Sequence, residues 1–437
     1  MADVTLMKTP AETALAQAYE SAKAILPGNV ESRAEAFELF TRSGLPHRRV
    51  EEFKYTDLRA LMREAAPFAG TPTASEAKAA LQSAKALAGV EALQVPFVNG
   101  HFVRDAVDFG SLPEGVEIVP LAEALASGHD WLARLSPVAW ARQNPVYQLN
   151  TAFMADGVML RVTGQVETPV HLRFVTAGNS AVATATRVLV LVEEGASVTL
   201  LESHESPNGA NHQPNDVIEM VAGDRSNVRH VRLNAEGDGA LALSTLTLKV
   251  GAEAEFFSIN VVAGAATSRH QVFAILDGEN TKARINGMTM VKGGQHADST
   301  LVVEHAAPNC ESRELFKTVI DGEATGVFQG KIIVPHHAQK TDGRMMSAAV
   351  LLSEGGTMNN KPELEIFADD VQCAHGATCG QLDEDLLFYL MARGIPRKEA
   401  ESLMVQAFLG EAVEFVEHEG VHDALVSVVE GWLRARA

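Results

Sequence analysis

The sequence is poor in cysteine, in positive charge and in long apolar runs. Three cysteines in 437 residues, Cys310, Cys373 and Cys379, are too few for a disulfide framework. No apolar run approaches the roughly 20 residues that cross a bilayer as a helix. Met1 to Tyr19 contains Lys8 but neither an apolar h-region nor a cleavage-site pattern, so no secretory leader is expected. With 36 Lys and Arg against 56 Asp and Glu, the net charge is −20, which argues against a general nucleic-acid binder and against docking on an anionic membrane. It leaves room for a partner with a basic surface. Also missing are a G-x-S-x-G elbow and a His-Glu-x-x-His pair. Gly330-Lys331 lacks the spacing of a phosphate-cradling loop. The expectation is a cytoplasmic chain with reduced thiols and no self-contained catalytic motif.

What is present is an ordinary globular composition, 46% apolar and 21% charged, long enough for two or three structural units. Apolar spacing of three and four predicts helices over Glu12–Ala24 and Ser32–Ser43, broken by Gly28 and by Gly44-Leu45-Pro46. Ala66–Ala74 reads as a loop, and Ser75–Leu87 as a surface helix or a connector. From about residue 91 the period changes. Val95–Val103 reads as two short strands around Asn99-Gly100. Residues 114–155 mix short helices and loops.

The middle of the chain repeats. Gly195, Gly209, Gly223, Gly237, Gly251, Gly264 and Gly278 are spaced by 13 to 14 residues, with strand-like runs such as Arg187–Val192, Ser244–Val250 and Glu255–Asn260 between them. Each unit is too short for a strand plus a crossover helix. Two units make one turn of a flattened coil with two stacked sheets, a β-helix. An antiparallel sandwich with hairpins at similar spacing is the alternative. After Gly380 the pattern is helical: Glu384–Arg393 behind an Asp383 N-cap and ended by Gly394, then Arg397–Glu417, then Val421–Arg436. Helical ends of this kind are expected to cover the sheet edges. The division is a helical region over 1–90, short strands and helices over 91–150, a core over 151–380 and a C-terminal helical region over 381–437.

Cys373-Ala374-His375 is the candidate site. On a strand, side chains at i and i+2 share a face, and thiolate and imidazole both suit a thiophilic metal. Two ligands do not fill a tetrahedral site, and a lone Cys or His is more often structural. Any remaining ligands come from elsewhere, such as another chain. Cys379 lies beyond Gly376, at the helix entrance, and is set aside. His336-His337 sit at a corner, where adjacent side chains diverge; His296, His305 and Cys310 are taken as structural, and Asp369-Asp370 as a solvated pair.

Several motifs together resemble the SufB/SufD family of iron–sulfur cluster assembly proteins, on its SufD side. They are Gly326-Val327-Phe328-Gln329-Gly330-Lys331-Ile332, Ala338-Gln339-Lys340-Thr341-Asp342, Leu351-Leu352-Ser353, Lys361-Pro362-Glu363-Leu364-Glu365-Ile366, Ala368-Asp369-Asp370-Val371 and Cys373–Thr378. Gly380–Glu384, Leu387–Leu390 and Arg393-Gly394-Ile395 extend the match, and Gly44-Leu45-Pro46 with Glu51–Leu58 resembles the family's N-terminal signature, with Phe53 where Trp is usual. SufB members carry Glu after the matching His and further upstream cysteines; here that position is Gly376 and Cys310 is alone upstream. Ala374 stands where Ser or Gly is usual, and Cys379 where an aliphatic residue is common.

The resemblance implies a mainly β fold, a right-handed parallel β-helix flanked by helical regions. It implies a non-catalytic SufD-type subunit that pairs with SufB through the end of the β-helix, or with itself when alone. An ABC-type ATPase, SufC, would dock on the C-terminal helices and hydrolyse the ATP. His375, with Cys373, would coordinate transient iron or a nascent iron–sulfur cluster at the SufB interface, with no tightly bound cofactor. A SufB-like main scaffold, a solenoid carbohydrate-active enzyme and a purely structural clamp are the alternatives.

Overall fold

The computed structural model describes residues 8–134 and 138–436. From Leu93 to Gly380 the chain winds into a flattened coil of about eight turns. Each turn places one strand in each of two sheets, so neighbours within a sheet are alternate strands of the sequence. One sheet has ten strands and the other nine. The rungs are parallel and in register. Leu160, Val190, Met220, Leu248, Ala274, Val303, Ile332 and Leu364 stand one above another inside the coil. This decides for the coil over the antiparallel sandwich. Among the described residues, antiparallel pairing occurs only at the start, where His101–Phe102 folds back on Leu93–Val98 and Val116–Pro120 lies on Asp156–Val162. Asn99 and Gly100, with φ of 51° and 79°, make the tight turn that the Asn-Gly pair predicts.

The glycine rhythm has a packing cause. Gly237 and Gly278 do not adopt positive φ. They lie where one corner passes over the corner of the turn before it. A Cβ on Gly278 would run into the Ala252 backbone, and one on Gly237 into the Pro207 carbonyl. From Gly223 to Gly278 the repeat therefore marks close approach of backbone to backbone, whereas Gly195 and Gly209 turn in the left-handed region, with φ of 68° and 83°.

Middle strands are covered on both faces, and Ala183–Val192 is buried along its whole length. That is why such strands read as continuous apolar runs. Helices Arg397–Val413 and Glu419–Arg436 lie on the outer face of the ten-stranded sheet, placing Val405, Leu409, Val421 and Leu425 against Val231, Ile259 and Met288. The N-terminal helices Pro10–Ala22 and Val30–Ser43 reach the other sheet through Pro145–Phe153. The N-terminal signature is anchored there. Phe53 lies 4.1 Å from the Arg269 guanidinium, measured to its ring centroid. Arg269 is ion-paired with Asp298, both side chains fully buried, and Thr56 donates its hydroxyl to Asp298.

Part of the interior is polar. Glu202 accepts from His204, from His230 at 3.0 Å and from Arg232 at 2.9 Å. Against the burial that would raise it, these partners hold the Glu202 carboxyl well below the usual carboxylate range. His204 also meets Asp216 at 3.2 Å. A buried ionic cluster adds little net stability, but shifting one rung would leave its charges unpaired.

The expectation that helices cover the sheet edges needs correction. They cover the faces, because that is where the continuous apolar stripes lie. Short antiparallel strands close the N-terminal edges. At the other end, Thr357–Ile366 and Gln372–Gly380 are the last strands of their sheets, with no described strand beyond them. The segment Ser75–Leu87 resolves into a helix, Ala74–Ser83, with a capping box from Thr73 and Glu76.

Gly278→Ala is expected to lower stability by about 1–3 kcal/mol through overpacking. Gly410, on helix Arg397–Val413, has nothing within 4 Å of an added Cβ. Gly410→Ala is expected to be neutral or to stabilise by about 0.5–1 kcal/mol. Denaturant unfolding of both variants checks the contrast; equal effects would contradict the corner-packing account.

Candidate functional site

The strand Gln372–Gly380 pairs on one side only, with Asp342–Val350. Its burial is far lower than that of the strands within the coil. One row of its backbone N–H and C=O groups therefore faces outward, which makes it a template for another strand. Thr357–Ile366 is also only half-buried.

Cys373 and His375 stand on this strand, above Gly343 and Met345. Met345 belongs to the core, and Cys373 packs against it, so both candidate ligands face the interior side of the coil at its open end. Two residues of strand span about 6.6 Å, which suits two ligands of one ion. Cys373 is partly buried and His375 is exposed. Burial pushes the Cys373 thiol up, helped by the charges of Asp342 and Glu314 and opposed by the Gly343 backbone. A cation must therefore displace a proton to bind that sulfur.

The other sequence candidates are now placed. Cys379 lies within the strand, not at the helix entrance, and shares the face of Cys373 and His375. It stands about 13 Å along the strand from His375, too far for one ion. Cys310 is buried and donates its thiol to the Gly278 carbonyl at 3.1 Å. His305 meets the Ser312 hydroxyl at 2.9 Å, and His296 meets that of Thr56 at 2.9 Å. His337 holds the Ala306 carbonyl at a corner, and Asp370 pairs with Lys340. Among the described residues, no three His, Cys, Asp or Glu side chains are gathered as a metal site. Cys373 and His375 are two donors on one strand face.

Two features escaped the sequence reading. On the outer face of the last rungs, Arg284, Arg313 and Arg344 stand in register beside a cleft of about 410 Å³ that Ala374 and Gly376 leave open. Asp342 binds Arg313 at 2.7 Å and Arg344 at 3.0 Å, and Arg284 lies 3.7 Å from the Phe415 ring centroid. On the inner face, Glu314 is buried beneath Met345. The available signal was alternation: Ser312, Glu314, Phe316 and Thr318 share a face, so a charged residue sat at a core position.

Both parts of the chain match known families. Residues 174–408 match the family model described as the SufBD core domain of the SUF system for FeS cluster assembly, and residues 13–172 match the SufBD N-terminal region. The chain belongs to the SufBD family. It is 31% identical over 398 residues to an iron–sulfur cluster assembly SufBD family protein of Synechocystis sp., covering 88% of this chain and 87% of the relative. It is 30% identical over 399 residues to the iron–sulfur cluster assembly protein SufD of Escherichia coli, covering 88% and 89%. SufD of Bacillus subtilis is 30% identical over 288 residues, covering 64% and 65%. The SufBD core model thus spans most of the coil, and both candidate ligands lie within it. No helix among the described residues is long and apolar enough to cross a membrane.

Burial pushes the Glu314 carboxyl up from 4.5 to about 8, and that of Glu236 up to about 7. An acid with a raised folded-state pKa binds more protons folded than unfolded. Its contribution is fully present below the unfolded value and is lost as pH rises through the folded one. The parts of the stability that Glu314 and Glu236 carry are therefore expected to fall as pH rises from 4.5 toward about 8, against the rise that buried neutral histidines such as His171 and His305 contribute up to about 6.5. Glu314→Gln should shift the slope of stability against pH upward over this range and leave the part due to Glu236. Urea midpoints across this range check it; an unchanged slope would refute the assignment.

Proposed function

We propose that this chain is the SufD-type subunit of the SUF iron–sulfur cluster assembly scaffold. It acts as a non-catalytic partner that receives iron or a nascent cluster as cargo, in the cytoplasm. The observation that carries this reading is the coincidence of a half-site with an unpaired sheet edge. Cys373 and His375 offer two ligands on the last strand, and that strand offers its backbone to another chain. A SufB-type paralogue continuing the sheet would bring the missing ligands within reach, and a second copy of this chain would use the same edge when the paralogue is absent. A neutral imidazole ligates near physiological pH, and clusters accept an occasional His among thiolates. Gly376 and the low cysteine count favour this role over that of the main scaffold.

The same reading assigns the ATPase contact to the C-terminal helices. Helix Glu384–Ala392 buries Leu387 alone, while Leu386, Phe388, Tyr389 and, on the next helix, Leu403 are 48%, 69%, 54% and 42% exposed. Four exposed large side chains on two packed helices of an acidic protein favour a protein partner.

Reconstitution with the SufB-type and SufC-type partners tests both assignments. His375→Ala is expected to leave complex formation intact and to cut cluster assembly tenfold or more. Wild-type assembly by this variant would overturn the coordination role. Phe388→Asp is expected to abolish co-purification with the ATPase without changing the thermal midpoint. Retained binding would move the docking surface elsewhere.

A further inference from the structure

Near its open end the ten-stranded sheet carries a basic stripe, on a chain whose net charge is −20. Arg284, Arg313 and Arg344 stand in register on neighbouring strands, about 4.8 Å from one strand to the next. Arg344 alternates with the core residue Met345, so the stripe lies on the outer face. Among the described residues, Asp342 is the one carboxylate within ion-pair distance of the three, meeting Arg313 at 2.7 Å and Arg344 at 3.0 Å. Arg284 lies over the Phe415 ring instead. Like charges on neighbouring strands repel, so the stripe is under-neutralised as it stands. Its exposure grows toward the edge: the Arg313 side chain is 30% exposed and that of Arg344 56%.

The last strand, Gln372–Gly380, adds no charge to this face. Its outward positions are Gln372, Ala374, Gly376, Thr378 and Gly380. Ala374 stands beside Arg344, and Gly376 beside Met346. The Met346 sulfur lies over Gly376, 2.9 Å from where a Cβ would stand. Beyond Arg344 there is only the Ala374 methyl. In the middle of the face, the small residues of the last rung therefore leave Arg344 and Met346, one rung further in, as the large side chains nearest the edge. Both border the cleft of about 410 Å³.

We propose that Arg344 and Met346 are the recognition pair of this edge, selecting a partner whose pairing strand carries a carboxylate and an apolar side chain, two residues apart, on the outer face. This rests on the reading, given above, that another chain continues the sheet at Gln372–Gly380. The partner strand then lies two strand spacings, about 9.6 Å, from that of Arg344. Its Glu or Asp and the guanidinium lean toward each other over the Ala374 methyl and form a charge-assisted hydrogen bond. Asp342 is then left to Arg313, so each of the two arginines has an acid of its own. Two residues along, Met346 offers its flexible thioether over Gly376 to the apolar neighbour.

The same geometry disfavours self-pairing. A second copy brings Gln372, Ala374, Gly376, Thr378 and Gly380 to this face, and none of them is a carboxylate. It also brings its own arginine stripe, so a self-pair leaves both stripes without a counter-charge. An acidic edge strand supplies one. Selection of this kind requires only a difference in affinity between the two partners. The stripe also steers an acidic edge strand toward this end of the coil and fixes its register.

Binding of the full-length chain to a purified SufB-type paralogue, at about 0.05 M and about 0.5 M salt, tests the pair. Arg344→Gln changes an exposed side chain and is expected to keep the thermal midpoint. At low salt it should weaken binding about tenfold, with the difference shrinking at high salt. Met346→Ala should weaken binding about fivefold at both salt concentrations, since an apolar contact is not screened. Any self-association, followed by sedimentation, should be unchanged or tighter in Arg344→Gln. A third variant isolates the edge itself. Gln372 donates its N–H to the Thr341 carbonyl, so the N–H of Ala377, an odd number of residues on, faces the free side. Ala377→Pro removes that donor and should block pairing of either kind. Wild-type binding by Arg344→Gln or Met346→Ala, or equal loss of self-pairing and partner binding in Arg344→Gln, would overturn the recognition pair while Ala377→Pro still blocks binding. Full binding by Ala377→Pro would instead overturn the reading that the sheet continues at this edge, and the recognition pair with it.

Discussion

The structure depends on in-register stacking of parallel rungs. Each strand satisfies its backbone by pairing with the turns before and after it, and each inward side chain rests on the equivalent one a turn away. The column from Leu160 to Leu364 is the clearest case. A slip of one residue would turn every inward side chain outward. The buried Glu202, His204, His230 and Arg232 group penalises such a slip further, because its charges are matched only at one register.

Stacking also leaves a problem that the chain solves at one end only. A coil has two ends, and each exposes unpaired backbone. The N-terminal end is closed by short antiparallel strands. The C-terminal end stops at Gln372–Gly380, and the helices that follow turn back along the face. An unpaired strand is normally an aggregation hazard. Here it carries Cys373 and His375, and in the function proposed for this chain the feature that makes the edge sticky is the one that lets a ligand set be shared. Glu314 extends the region of interest inward, and the arginine ladder extends it to the outer face.

Much of the architecture was legible beforehand. The period of 13 to 14 residues indicated a coil, and its cause is now clear in Gly237 and Gly278. Asp383 caps its helix as expected, accepting from Asp385 and Leu386. The placement of the helices was not legible. Their apolar stripes show that each covers something, but not whether that is a face or an edge. Cys373 and His375 were identifiable because two good ligands two residues apart share a face of any strand. Glu314 was not singled out, since a single Glu in an alternating strand is unremarkable until its partners are known.

By itself, the sequence determined the repeat, the boundary between strand-rich and helical regions, and the pairing of a thiol with an imidazole on one strand face. These are local properties, set by side-chain periodicity and by the steric needs of glycine. Only the tertiary structure decided that this strand is the last rung, that its outer edge is unpaired, and that a buried carboxyl group lies two rungs below it. Those facts depend on which rungs become neighbours about 30 residues apart along the chain, through backbone hydrogen bonds that do not discriminate between side chains.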